Sequence, residues 1–233
     1  MGPMRSPLPV TLLASLVLGS AAHADLKAVL KKLGDDARTR ESNAACTYRE
    51  TTTVDELGKD NQVLGTEVRL FEVEVKGTEV TRRDLVSVTK SGEPLADLLE
   101  QPRDTKGKKP ARSPLHPEAQ ADYRFELKDG PGPDEQTLTL EPVKPSTERV
   151  RGEAVVDART LALKALRFSP SKTPLLLKSF AMRFEFADTA CGRQPRVVEI
   201  QGEGIAVFIE TKFRTRSVLA GHARVAPPAP KKK

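Results

Sequence analysis

The run Leu175-Leu-Leu-Lys-Ser-Phe-Ala-Met-Arg-Phe-Glu-Phe186 decides how this chain is read. From Lys178 on, Phe180, Met182, Phe184 and Phe186 fall on one parity, and Ser179, Ala181, Arg183 and Glu185 on the other. Side chains alternate across a strand, so the stretch reads as a long β-strand with one apolar face and one wet face. Three of the chain's eight Phe sit on that one face. A closed core would account for them, and so would a surface for an apolar ligand.

Downstream, Ile205, Val207, Ile209 and Phe213 alternate in the same way, which predicts a strand over 205–213 with those four on one face. Upstream, residues 47–54 are rich in β-formers, and Gly58, Asp60 and Asn61 mark a hairpin turn within 55–61. In the return run 67–75, Val68 and Leu70 lie on one parity and Phe71, Val73 and Val75 on the other. Leu161 and Leu163, then Leu166 and Phe168, repeat the switch. A parity switch inside a strand signals a β-bulge, the device that bends a sheet. Further strands are expected at 80–88, 123–127, around Leu138 and Leu140, and at 149–156, 160–168 and 196–201.

Leu26, Val29, Leu30 and Leu33 have helical spacing, with Asp25 placed to cap. That helix should end near Ser42. Leu95, Leu98 and Leu99 suggest a short helix. Residues 101–117 carry four prolines with Lys106, Lys108, Lys109 and Arg112, a long, mobile, basic loop that reads either as a lid or as a solvated insertion. About ten strands at hairpin spacing with one long helix predict an α+β domain. Its strongly curved antiparallel sheet would curl round the N-terminal helix and the lid-like insertion.

The ends of the chain are expected to lie outside that domain. Arg5, the apolar run from Leu8 to Leu18 and the triplet Ala22-His23-Ala24 have the form of a secretory signal peptide, residues 1–24, cleaved before Asp25. The domain is assigned to 25–222 and a disordered Pro/Ala/Lys tail to 223–233. The expected location is the periplasm, with secretion as the alternative. No apolar run in the mature chain approaches the ~20 residues of a membrane span. The formal net charge is +6, but Arg5 leaves with the signal and three more charges are Lys231, Lys232 and Lys233. The body is nearly balanced, which argues against a nucleic-acid partner. Cys46 and Cys191 are the only cysteines; an oxidising compartment favours one disulfide between them, two separate buried thiols being the alternative.

Catalytic signals are absent from the sequence. His116 and His222 are the mature chain's histidines, and no metal-ligand spacing, nucleophile elbow or phosphate loop surrounds them. Ser-x-x-Lys occurs at Ser87–Lys90 and Ser169–Lys172, but at a strand end and in a turn rather than at a helix start. No catalytic residue, metal or cofactor is assigned. The apolar face remains, as core or as a pocket for acyl chains, where each buried CH₂ contributes about 0.8 kcal/mol.

The order of segments resembles a known family. It comprises a signal, a helix and Cys46-Thr-Tyr-Arg-Glu50, then Tyr123-Arg-Phe-Glu-Leu127 and Arg151-Gly-Glu-Ala-Val-Val-Asp157. Phe168-Ser-Pro-Ser-Lys172, the Phe/Met strand, Pro195 and Phe208-Ile-Glu-Thr-Lys-Phe213 come next. This is similar to the LolA/LolB-like superfamily of bacterial envelope proteins, best over 123–218. The resemblance implies an open half-barrel with helices over its concave face. It implies a carrier of lipid or lipoprotein acyl chains. No carrier binding residue maps onto this chain position by position, so the expected lining is the apolar face read from the alternation, Phe180, Met182, Phe184, Phe186, Ile205, Val207, Ile209 and Phe213. The other implied role is a non-carrier interaction or sensor module with a filled core. Partners would be a lipid, an acylated protein or an envelope protein, with room for peripheral membrane contact. The basic insertion and the cysteine pair match nothing in the carriers.

Overall fold

The computed structural model describes residues 25–95, 112–206 and 209–226. The expected signal peptide, Leu98 and Leu99, most of the basic insertion, Val207 and the last residues of the tail lie outside them. Helix α1 (Leu26–Ser42) forms on the predicted apolar stripe, with Val29 and Leu33 at 0% and 1% exposure and Leu26 and Leu30 packed beside them. Asp25 occupies the N-cap position but its side chain makes no capping hydrogen bond, so packing holds this end. Lys31–Asp35 and Lys32–Asp36 ion pairs line the outer side at helical spacing.

From Cys46 the strands run in order: β1 (Cys46–Leu57), β2 (Val63–Lys76), β3 (Glu79–Lys90) and the two-residue β4 (Glu93–Pro94). After the insertion comes helix α2 (Pro117–Gln120), then β5 (Tyr123–Asp129), β6 (Glu135–Pro142), β7 (Val150–Asp157) and β8 (Leu163–Pro170). β9 (Leu177–Thr189), β10 (Gly192–Ala206) and β11 (Ile209–Arg224) complete the series. They form one antiparallel sheet in the order β4-β3-β2-β1-β11-β10-β9-β8-β7-β6-β5. β4 and β5 are its two edges, so the half-barrel is open. Pairing of β1 with β11 joins the start of the chain to its end.

Both predicted phase shifts mark register shifts, one of them in a neighbour. β8 carries its own bulge: Val155 pairs with Ala165 and Val156 with Leu163, leaving Lys164 unpaired. Leu163 and Leu166 are thereby both buried, while Lys164 turns to Glu135 at 2.9 Å. At Leu70/Phe71, however, the extra residue is Val86 of β3, and a second shift leaves out Thr81. β2 itself pairs with β1 in unbroken register from Val75 to Gly65. Two further corrections concern turns. β1 runs through Leu57, so its hairpin turn is shorter than 55–61. The single strand expected over 205–213 is a hairpin, with Ile205 near the end of β10, Ile209 opening β11, and Ala206 paired with Ile209.

The predicted disulfide is present: Cys46 and Cys191 are bonded with Cα atoms 6.2 Å apart, across a sequence separation of 145. It ties the start of β1 to the β9–β10 turn. Asn43, just after α1, donates from Nδ2 to Cys191 O, and Gly77 N–H in the β2–β3 turn donates to Asn43 O. Gly77 has φ +63, and an added Cβ there would lie 2.3 Å from Glu41 O. Only glycine fits both the left-handed conformation and that approach to the helix end.

The end of the insertion is ordered, contrary to the mobile loop expected through residue 117. Leu115 is buried in the main core and His116 is almost fully enclosed. His116 Nδ1 accepts the Glu118 N–H at the start of α2, and Nε2 lies 3.3 Å from Glu41 Oε2 of α1. Gln120 Nε2 donates to Leu30 O and Leu115 O. These contacts fasten the segment to α1.

Candidate functional site

Directly paired residues of neighbouring strands share a face, so the register maps the concave surface. Phe184 pairs with Val198 and Leu166, Met182 with Ile200 and Phe168, and Phe180 with Gly202. Gly202 pairs in turn with Phe213, and Phe213 with Glu56. The apolar face of the Phe/Met strand therefore continues across β8, β10 and β11. Its opposite face carries Arg183 with Glu185 and Glu199, and Arg216 with Glu199, the wet side that the alternation predicts.

Helix α1 covers only part of this surface. Val29 and Leu33 pack with Leu115, Leu138, Leu140, Ala154, Val156, Leu163 and Leu166, a core belonging to β6, β7 and β8. Phe168, Phe184 and Phe186 pack against it. Phe168 stacks on Phe184 with centroids 5.5 Å apart, and Phe184 on Phe186 at 6.4 Å. The Arg40 guanidinium of α1 sits 5.5 Å over Phe186, and burial pulls its pKa down. Two of the expected cavity residues, Phe184 and Phe186, are thus engaged with the protein's own core.

Phe180 and Phe213 are placed differently. A Cβ on Gly202 would meet Phe213 at 2.8 Å and Phe180 at 3.5 Å, so both rings close over this glycine. A shallow open cavity of about 380 Å³ at this end of the sheet touches Phe180, Gly202 and Phe213. Ser179, Ala181, Gln201, Glu203, Lys212 and Arg214, which also line it, pair with one another on the wet face, so it is not a pocket of the apolar face. Along β9, Met182 stands between Phe180 and the core-packed Phe184. Ile205 and Ile209 flank the β10–β11 turn at the same end.

The sequence reading missed a polar cluster on the inner face of β1, β3 and β11. Glu50 Oε1 accepts from Thr52 Oγ1 at 2.9 Å, Ser217 Oγ at 3.1 Å and Arg83 Nη2 at 3.1 Å. Oε2 accepts from Arg83 Nε at 3.2 Å, and the Thr52 and Ser217 hydroxyls are themselves 2.8 Å apart. The Arg83 guanidinium lies 3.6 Å from the centroid of Phe71. Arg69 and Glu67 form a further ion pair on the same face of β2. Beside Glu50, Tyr48 stacks on His222 at 5.1 Å. Burial first, and then the charge of Glu50, pushes the Tyr48 hydroxyl up to about 12. Burial lowers the pKa of His222. Alternation alone put Tyr48, Glu50, Thr52 and Val54 on one face, but Arg49, Thr51 and Thr53 are as polar, so nothing in the sequence said which face turned inward.

This arrangement holds side chains in place. The acceptor sites of Glu50 are occupied by Thr52, Ser217 and Arg83 instead of being turned to a substrate. Both Ser-x-x-Lys runs lie on strand ends, Ser87–Lys90 in β3 and Ser169–Lys172 running from the last residues of β8 into the turn after it. Among the described residues no cluster of His, Cys, Asp and Glu is arranged to hold a metal. Among them, too, no helix is long and apolar enough to cross a membrane.

No protein-family model matches the sequence, and no curated protein matches it. The fold is similar to that of LolA-superfamily structures. One is a LolA superfamily protein from Nitrosomonas europaea, at 13% identity and TM-score 0.43, covering 88% of this chain and 96% of that one. A putative outer membrane lipoprotein-sorting protein domain from Vibrio parahaemolyticus matches at 10% identity and TM-score 0.37, over 83% and 91%. A DUF1329 family protein from Desulfovibrio piger matches at 13% and 0.39, over 85% and 92%. All three likenesses are loose and concern the fold alone.

Proposed function

We propose that the protein is an exported, periplasmic binder of lipid or lipoprotein acyl chains. Its site would be the stretch of concave face beyond α1, with Phe180, Met182 and Phe213 against the chain and Phe184 and Phe186 as its inner limit. The observation that carries this reading is the pair of rings, Phe180 and Phe213, that close over Gly202 on the apolar face, past the part of the sheet that the helix fills. Aromatic rings and an unbranched Met suit a deformable apolar ligand. The disulfide fits an oxidising compartment. Native mass spectrometry of protein purified from the envelope, with a fluorescent acyl probe in solution, tests the reading. Co-purified lipid and a fluorescence gain that Phe180→Asp removes are expected. Lipid-free protein that leaves the probe dark would end it.

A second reading has its own support. Val29, Leu138, Ala154 and Val156 are at 0% exposure, so the helix-covered half of the barrel is full. A module of this kind would act through an envelope partner without carrying cargo. It predicts that Phe180→Asp leaves partner capture intact.

A further inference from the structure

The hairpins of a meandering sheet alternate between its two ends. The β1–β2, β6–β7, β8–β9 and β10–β11 connections therefore share one end, to which Phe180 and Phe213 also lie close. The exposed large aliphatics concentrate there. Leu175 is 99% exposed and Leu176 66% at the β8–β9 tip, Leu64 is 61% exposed beside Val63 at the β1–β2 tip, and Val143 comes directly after β6. Val86 lies within β3, and among the described residues the exposed aliphatics at the other end are Val80 and Val225. Its turns are built from Gly77, Gly130–Asp134, Ala158–Ala162 and the disulfide-bonded Cys191. The concentration of apolar side chains at one end is not the scatter of single apolar residues found on ordinary surfaces.

Charge identifies the occupant. The β8–β9 tip, from Pro170 to Lys178, carries Lys172 and Lys178 and no acidic residue, so its two exposed leucines stand between cations. Lys144 adjoins Val143, and Lys59 stands on the β1–β2 tip, but Glu148 and Asp60 offset these two, so the excess of positive charge is at the β8–β9 tip. An apolar tip flanked by Lys172 and by Lys178, the latter also 3.7 Å from Glu203, matches a bilayer interface, where aliphatic side chains enter the acyl boundary and cations meet anionic headgroups. We infer that this end of the half-barrel, led by Leu175 and Leu176, docks on an anionic phospholipid surface. Docked in this way, the end of the apolar face that holds Phe180 and Phe213 is the one next to the lipid. The inference goes beyond the acyl-binding reading and stands on the tips alone.

The test is co-sedimentation of the mature full chain with vesicles of phosphatidylglycerol and phosphatidylcholine, against vesicles of phosphatidylcholine only. Binding to the anionic vesicles at low salt is expected, at least tenfold tighter than to neutral ones and weakened by added salt. The double substitution Leu175→Asp with Leu176→Asp should abolish it, and Lys172→Glu should weaken it several-fold. These side chains are exposed, so the fold should survive; an unchanged circular dichroism spectrum and unchanged acyl-probe binding in solution check that. Equal binding to both vesicle types, or wild-type binding by the double variant, would overturn the inference. So would vesicle-free dimerisation lost in the double variant, which would make a second copy the occupant. Probe binding in solution without vesicle docking would sink this inference alone, and docking without probe binding would sink only the acyl site.

Discussion

The two halves of the concave face solve the same problem in opposite ways. Over β6, β7 and β8 the inner side chains are Leu138, Leu140, Ala154, Val156, Leu163 and Leu166, and α1 lies on them and leaves no room. Over β1, β3 and β11 the same face carries Glu50, Thr52, Arg83 and Ser217, tied to one another instead of to a helix. Bending a sheet creates a concavity but does not say what fills it. Here one half is stabilised by dry packing against a helix, and the other by a hydrogen-bonded polar set whose Thr52 and Ser217 are themselves buried. Phe180, Met182 and Phe213 lie at the border, which is why they suit a ligand better than the fully packed residues do.

The largest effect that could break this comparison is loss of the disulfide, which clips β1 of the polar half to the β9–β10 turn. Cys46→Ser with Cys191→Ser should cost about 2–5 kcal/mol in chemical denaturation. A loss well under 1 kcal/mol would mean that sheet register alone joins the halves. Next, Leu33→Ala should cost about 2–4 kcal/mol, because Leu33 is enclosed and its neighbours cannot collapse fully. Phe180→Ala removes more atoms but should cost only about 1 kcal/mol, since its ring is partly exposed. Equal losses at the two sites would erase the distinction between a filled half and an open one.

Gly77→Ala forces a side chain into a left-handed turn against Glu41 O, and about 2 kcal/mol of destabilisation is expected from thermal or denaturant unfolding. A neutral result would show that the β2–β3 turn is not pressed on α1. Glu50→Gln keeps the acceptor for Thr52 and Ser217 but removes the charge facing Arg83. Arg83 is about a third exposed, so solvent screens the loss and roughly 1 kcal/mol is expected. A cost as large as that of Leu33→Ala would mean that the polar half is as sealed as the apolar one.

The smallest effect is one of pH. Asp157, in the β7–β8 turn, is pulled down to about 2, first by the Thr160 backbone N–H and then by the Thr160 hydroxyl. The folded state thus binds this proton less readily than the unfolded one, whose carboxyl titrates near ~3.9. The stabilisation is present above about pH 4 and is lost as pH falls towards 2. Asp157→Asn should flatten that part of the stability profile; an unchanged slope would remove Asp157 from the account.

Much of this was legible in the residues. The period of two fixed the strands and their wet and dry faces, and the i, i+3, i+4 spacing fixed α1. The Leu163/Leu166 phase shift located a bulge to within a residue. The hairpin inside 205–213 was missed because Ile205, Val207 and Ile209 alternate across the turn as they would in one strand. Leu115 and His116 were read as loop because their prolines and lysine-rich neighbours dominate the local composition, while their burial comes from α1 and a distant sheet.

The sequence by itself determined which residues form strands, which parity is apolar, and which two cysteines could bond. Those properties follow from covalent geometry repeating every two or 3.6 residues. Tertiary structure decided what lies against each face: that α1 fills the β6–β8 half, and that Glu50 meets Arg83 and Ser217. It also decided that Phe180 and Phe213 meet over Gly202. These are contacts between segments far apart in the chain, set by strand order and by competition for one concave surface, and no local pattern encodes them.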